Sequence, residues 1–151
     1  MVDVQSLSNT ILKRMHDESI IISPMKLQKL LYFVCAKYLQ HYDNPLISES
    51  FCVWKYGPVL QSVYSEFKSY GSKSITGYAR NSNGEAFVIA GYSESGKRIL
   101  EVIETILDKY GRYNGIELSN ITHQEGSGWY KAFIDGRSVI SNEDMKNDKT
   151  F

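Results

Sequence analysis

The residues of this chain best suited to catalysis lie between Thr122 and Glu125, where a hydroxyl, an imidazole and a carboxylate occur within four positions. Such groups act as nucleophile, general base and general acid in hydrolases. His123 and Glu125 are only two positions apart, however, and would point to different sides of a helix. No HExxH, GxSxG, P-loop or GxGxxG motif accompanies them. We therefore expect His123 to cap the end of a short helix, with a hydrolase centred on it as the less favoured alternative.

Metal and cofactor sites have no support in the sequence. The two cysteines, Cys35 and Cys52, stand in apolar surroundings without CxxC spacing, and the three histidines lack ligand spacing as well. We expect reduced structural thiols, no metal and no cofactor. Reduced thiols and the absence of a signal-peptide pattern indicate the cytoplasm, and no apolar run approaches the roughly 20 residues of a membrane span.

Two polar residues stand inside the most apolar helical pattern of the chain. Apolar residues recur with helical spacing over residues 27–42, which predicts a core helix. Gln28 and Lys29 are expected on the outer face of this helix, which is ordinarily a solvated face. With Tyr32 nearby, that face would equally serve as a recognition surface, because tyrosine and tryptophan are enriched at interfaces.

The elements that would position these residues are mostly helices. Apolar spacing predicts helices over residues 3–18, 24–42, 58–70, 93–111 and 114–123, with a frayed sixth helix near the end of the chain. Their starts carry capping chemistry, which is found at Ser23 with Pro24, at Pro58, at Ser93, and in the box formed by Asn114 and Glu117.

Short strands are expected in two places. Residues 49–56 are rich in aromatic and β-favouring residues and stop at Gly57, which indicates a strand followed by a break. Residues 72–92 alternate β-branched and aromatic residues with small polar ones around Asn83-Gly84, the strongest hairpin signal in the chain. The predicted fold is mainly α, of the α+β type: a compact bundle of about five to six helices with a small antiparallel sheet or hairpin.

Length and composition indicate one domain with balanced charge. The 151 residues include 17 basic and 17 acidic side chains, so nucleic acid is not expected as the main partner. Eleven tyrosines contribute to a 13% aromatic share, which suits both core packing and protein interfaces. We expect residues 1–142 to form a single domain, and residues 143–151 to be a short polar tail that is either helical or disordered.

Several motifs, in a fixed order, resemble one known family. The chain has Leu-Gln-Lys-Leu-Leu-Tyr-Phe at 27–33, Trp-x-x-Gly-Pro-Val at 54–59, and Val-Tyr-x-x-Phe-x-x-Tyr-Gly at 63–71. The second half continues with Leu-x-x-x-Thr-His at 118–123, followed by Trp129. Together these motifs resemble the Panacea domain family, which comprises SocA-like antitoxins and phage-associated GepA-like proteins.

The resemblance implies a bacterial or phage protein that binds other proteins and is not an enzyme. It would act as the antitoxin of a toxin–antitoxin system, neutralising a cognate protein toxin by direct contact. No membrane partner is implied. The candidate partner-binding residues are aromatic or polar members of the motifs, namely Gln28, Lys29, Tyr32, Trp54, Tyr56, Tyr64, His123 and Trp129.

Other functions share the same fold. The domain would also suit a proteolytic adaptor that delivers its toxin to a protease, or a phage or mobile-element regulator that binds a host protein or DNA. A DNA-reading helix-turn-helix ranks lower, because the second helix is apolar on most sides and carries few residues that read bases. The sequence leaves the oligomeric state and the identity of the toxin open.

Overall fold

The structure is a computed structural model that describes every residue from Met1 to Phe151. It contains seven α-helices, one short 3-10 turn at Lys68–Tyr70, and two strands, β1 (Cys52–Trp54) and β2 (Gly57–Val59), which pair antiparallel. The helices are α1 (Val4–Asp17), α2 (Pro24–Tyr42), α3 (Gln61–Phe67), α4 (Glu94–Tyr110), α5 (Gly115–Thr122), α6 (Gly128–Ile134) and α7 (Asn142–Lys146). The expectation of a mainly helical fold with a small antiparallel sheet is confirmed.

The caps predicted from the sequence set the helix starts. The Ser23 hydroxyl accepts a hydrogen bond from the Lys26 amide at 3.2 Å, and Pro24 follows as the first residue of α2. Asn114 and Glu117 form a reciprocal capping box, in which each side chain accepts the backbone N–H of the other residue. These bonds satisfy amides that a helix start would otherwise leave without partners.

The antiparallel sheet does not lie where the hairpin signal placed it. Residues 72–92 form no strand, although the turn at Asn83-Gly84 is present. The backbone of this segment is bound by side chains of α1 instead. Asn9 accepts the Ala79 amide at 2.8 Å and donates to the Ala79 carbonyl at 2.9 Å, and Thr10 accepts the Ile89 amide. The predicted sheet at 72–92 is therefore wrong, because these side chains replace a strand ladder.

Two further boundaries differ from the prediction. Pro58 lies in β2, and α3 begins three residues later at Gln61. The start predicted at Pro58 is wrong because Gly57, with a φ of +115°, turns the chain back on β1 and puts Pro58 opposite Val53. Gly128–Ile134, for which no helix was predicted, form α6 behind an N-cap at Ser127.

Helix α2 lies at the centre of the fold. It packs against α1, α3, α4, α5 and α7 and against β2, and every residue from Lys26 to Ala36 is buried. Elements therefore cover the face that holds Gln28 and Lys29 as well as the apolar face. The expectation of an outer, solvated face for these two residues is wrong.

The last residues of the chain are docked on α2 by polar and aromatic contacts. The Tyr32 hydroxyl donates to the Asp148 carboxylate at 2.7 Å, and the Gly128 amide donates to the same oxygen at 3.0 Å. The Phe151 ring stacks on Phe33, with ring centroids 4.8 Å apart. Burial and the neighbouring Asp148 raise the pKa of Tyr32 well above its usual value, so this hydroxyl remains a hydrogen-bond donor.

Removing the buried carboxylate should loosen this attachment. We expect Asp148→Ala to lower the free energy of unfolding by about 2 to 3 kcal/mol, since it leaves the Tyr32 hydroxyl and the Gly128 amide without their acceptor. Asp108→Ala, at an exposed position of α4 with no ion pair, should change stability by less than about 0.5 kcal/mol. Urea denaturation of both variants provides the measurement, and equal effects would contradict the predicted role of Asp148.

None of the helices combines the length and the apolar character that crossing a membrane requires. The cysteines are not paired with each other, and burial raises the pKa of the Cys35 thiol far above its usual value. No three histidine, cysteine or acidic side chains come together in a way that would hold a metal ion.

Candidate functional site

A groove of about 510 Å³ opens between the start of α2, the β1–β2 turn and α3. Five of the eight candidate residues line it, which are Gln28, Lys29, Trp54, Tyr56 and Tyr64. The other lining residues are Pro24, Met25, Lys55, Val59 and Gly71. Residues of three sequence motifs, at 27–33, 54–59 and 63–71, therefore build the groove together with Pro24 and Met25.

The polar side chains of α2 hold the backbone that follows the turn. Gln28 pairs with Leu60 in both directions: its side-chain amide donates to the Leu60 carbonyl at 3.0 Å and its side-chain oxygen accepts the Leu60 amide at 2.9 Å. The Lys29 amine donates to the Pro58 carbonyl at 3.0 Å. Both side chains are buried, so the bonds replace the water that these backbone groups would otherwise bind.

Side chains from α5 and α6 hold the other part of the turn. The indole N–H of Trp129 donates to the Trp54 carbonyl at 2.8 Å, and the Ser119 hydroxyl donates to the Tyr56 carbonyl at 2.6 Å. Between them, Nε2 of His123 lies 2.8 Å from the Lys55 carbonyl. Carbonyls of consecutive residues are thus held by three different side chains. Residues 54–60, called the clamped segment below, are fixed from both sides.

His123 has a structural place in this arrangement. Its backbone caps the end of α5, and its Nδ1 lies 2.6 Å from the Ser119 carbonyl one turn earlier. Both ring nitrogens therefore face backbone carbonyl oxygens, which agrees with the capping role expected from the sequence. Its ring also packs on Trp129, with centroids 4.1 Å apart.

Gly57 is the residue of the clamped segment at which a side chain has no room. Its φ of +115° belongs to the region that side chains disfavour. A Cβ placed there would lie 2.6 Å from Oγ1 of Thr122 and 2.9 Å from Cε of Lys29. Both neighbours are buried, so glycine is required by the backbone angle and by the closeness of α2 and α5.

Lys29 is a buried amine without an acidic partner. Only 1% of its surface is exposed, and it takes part in no salt bridge, whereas five other basic and five acidic residues form six ion pairs. Burial lowers the pKa of Lys29 to about 7, because the ammonium loses its hydration. Near neutral pH this lysine is therefore divided between its charged and neutral forms.

Three aromatic side chains form the walls of the groove, and we call them the aromatic rim: Trp54, Tyr56 and Tyr64. Tyr56 is 57% exposed and Tyr64 is 48% exposed, while Trp54 is half-buried and meets the Tyr64 ring edge to face at 5.0 Å. Large aromatic groups on a fixed backbone lose little conformational entropy when a partner covers them. The aromatic rim is thus suited to binding.

The remaining three candidates do not line the groove. Tyr32 is fully buried and binds Asp148, while His123 and Trp129 support the clamped segment from behind. Sequence reasoning missed Ser119 and the pairing of Gln28 with Leu60. The signal for Ser119 was its position one helical turn before His123, which places both side chains on one face of α5.

Comparisons with known proteins find a family and a relative for this chain. A family model described as "Antitoxin SocA-like, Panacea domain" matches residues 27–130, a range that contains all eight candidate residues. The chain is also similar to the protein named Antitoxin SocA of Caulobacter vibrioides (strain NA1000 / CB15N), with 32% identity over 131 residues that cover 85% of this chain and 69% of that protein. No solved structure matches the chain.

Proposed function

Because the chain belongs to the family of SocA-like antitoxins with a Panacea domain, we propose that it is an antitoxin that neutralises a cognate protein toxin by direct contact. Family membership is the observation that carries this proposal. The groove supports it, since the motifs within the matched residues build an accessible aromatic surface on a fixed backbone. We place the encounter in the bacterial cytoplasm.

In the proposed mechanism, some residues of the site support the backbone and others contact the partner. Gln28, Lys29 and His123 hold the clamped segment by its backbone, so they position the aromatic rim. The aromatic rim then supplies the anchors. An interface of standard size, on the order of 1,200 to 2,000 Å² in total, would extend beyond the groove, with a few aromatic side chains carrying most of the affinity. Neutralisation then results from occupying the toxin, and no chemical step is needed.

Co-expression tests the proposal directly. The product of the gene encoded beside this one should inhibit growth when it is produced alone, and growth should recover when both are produced. The two proteins should also co-purify as a complex. If neither recovery nor a complex is seen, the antitoxin proposal is rejected.

Substitutions in the aromatic rim should break this complex without unfolding the protein. We expect the double variant Tyr56→Ala/Tyr64→Ala to weaken binding by at least about 100-fold, since exposed tyrosines at interface centres are frequent hot spots. Tyr92→Ala is the matched control, because Tyr92 is 96% exposed and lies outside the groove. Calorimetric titration measures both affinities, and unchanged binding by the double variant would show that the partner docks elsewhere.

A further inference from the structure

The charged side chains that line the groove are all basic. Its lining includes two lysines, Lys29 and Lys55, and contains no aspartate or glutamate. Neither lysine takes part in a salt bridge. The chain as a whole is neutral, so this absence of acids is a property of the groove and not of the protein. A complementary ligand would carry negative charge and some apolar surface.

The Lys29 amine has unused hydrogen-bonding capacity. An ammonium has three N–H donors, and here only the Pro58 carbonyl accepts one of them, at 3.0 Å. Gly57 lies close to the Lys29 side chain, and the titratable groups that line the groove with it are Lys55 and Tyr56 of the turn and Tyr64 of α3. None of these is an acid, and burial is the only cause that lowers the pKa of Lys29. A carboxylate brought into the groove would thus meet a cation that has no competing anion.

From these observations we propose that the groove anchors the partner protein through a single carboxylate side chain, which pairs with the Lys29 amine while flanking apolar side chains pack on the aromatic rim. This inference rests on the proposed function, because it names the chemistry by which the same surface recognises its partner. The volume of about 510 Å³ suits one acidic residue with an apolar neighbour. Lys55, exposed at the edge, adds long-range attraction.

Above neutral pH, Lys29 should take up a proton when a carboxylate binds. The free protein holds Lys29 largely neutral at about pH 8.5, and a carboxylate favours its charged form. Affinity should therefore fall by about tenfold between about pH 6.5 and about pH 8.5, a range in which the carboxylate itself stays ionised. In a Lys29→Met variant this pH dependence should disappear, although all other titrating groups are retained.

The test uses two blocked peptides, Ac-Gly-Leu-Glu-Phe-Gly-NH2 and its glutamine counterpart, and therefore needs no toxin. Each is titrated up to about 5 mM into the isotopically labelled protein, with the amide signals of the clamped segment as the readout. We expect the glutamate peptide to shift these signals and to bind at least about tenfold more tightly than the glutamine peptide. Lys29→Met should remove the difference, whereas Lys13→Met, in α1 and outside the groove, should preserve it.

Three results would overturn the carboxylate anchor: equal binding of the two peptides, no binding of either, or a preference for glutamate that survives Lys29→Met. These outcomes are separate from those of the co-expression experiment. Peptide binding together with failed co-expression would retain the groove as a carboxylate site and reject the toxin partner. A stable toxin complex without peptide discrimination would retain the antitoxin and reject Lys29 as its anchor.

Discussion

Replacing Gly57 with alanine is expected to destabilise the protein by about 2 to 5 kcal/mol. Part of the loss comes from the backbone, since a φ of +115° is unfavourable for any residue with a side chain. The rest comes from overpacking, because the new methyl group would lie 2.6 Å from Oγ1 of Thr122 and 2.9 Å from Cε of Lys29. Relief would require moving α2 or α5, or breaking the bond between Lys29 and the Pro58 carbonyl.

Gly84→Ala separates the two contributions. Gly84 also has a positive φ, of +78°, but nothing lies within 4 Å of the position that a Cβ would take. We expect this variant to lose only about 1 to 2 kcal/mol, which is the backbone contribution alone. Urea denaturation gives both values. Losses of the same size would show that the close approach at Gly57 costs nothing and that the site is looser than described.

The second large effect concerns the pH dependence of stability. In the folded protein Lys29 loses its proton near pH 7, whereas in the unfolded chain a lysine keeps it until about pH 10.4. Between these values the unfolded state binds more protons, so folding stability rises with pH. Relative to Lys29→Met, the natural protein should gain about 1 to 3 kcal/mol between about pH 7 and about pH 9. Well below pH 7 lysine is protonated in both states, and the difference should stay constant.

Denaturation at a series of pH values, carried out on both proteins, measures this difference. Subtracting one curve from the other cancels the contribution of every group that the two proteins share, including Lys26, whose pKa burial also lowers. We also expect Lys29→Met to be at least as stable as the natural protein at pH 7 or below, because it removes a buried charge without an acidic partner. Parallel curves across the whole range would contradict the burial of a titrating amine at this position.

The starts of α2 and α5 could be predicted from the sequence because their signals are local, whereas those of α3 and α6 could not. A hydroxyl or amide at the N-cap and a glutamate three residues later act within one helical turn, so Ser23 and Asn114 could be assigned without knowledge of the fold. The segment 72–92 was not accessible in this way. Its turn is local, but whether its flanks pair as strands was decided by Asn9 and Thr10, about 70 to 80 residues earlier in the chain.

The candidate site was also only partly predictable from the sequence. Trp54 and Tyr56, next to Gly57-Pro58, were candidates from the sequence, and the structure places them in one groove with Gln28 and Lys29. Their orientation was misjudged, because a polar side chain on a helix is normally solvated and the backbone that these two bind lies about 30 residues further on. An amphipathic pattern shows which residues of a helix are polar. It does not show which backbone carbonyls elsewhere in the fold will need hydrogen-bond donors.

The docking of the last residues on α2 also has a consequence for synthesis on the ribosome. Tyr32 and Asp148, joined by a hydrogen bond, are separated by 116 positions along the chain. At a translation rate of about 5 to 20 residues per second, Asp148 is added about 6 to 23 s after Tyr32. During that interval the nascent chain presents the Tyr32 and Phe33 side of α2 without its final cover. The central helix can therefore complete its packing only after Asp148 has been added, and chaperones have several seconds in which to bind it.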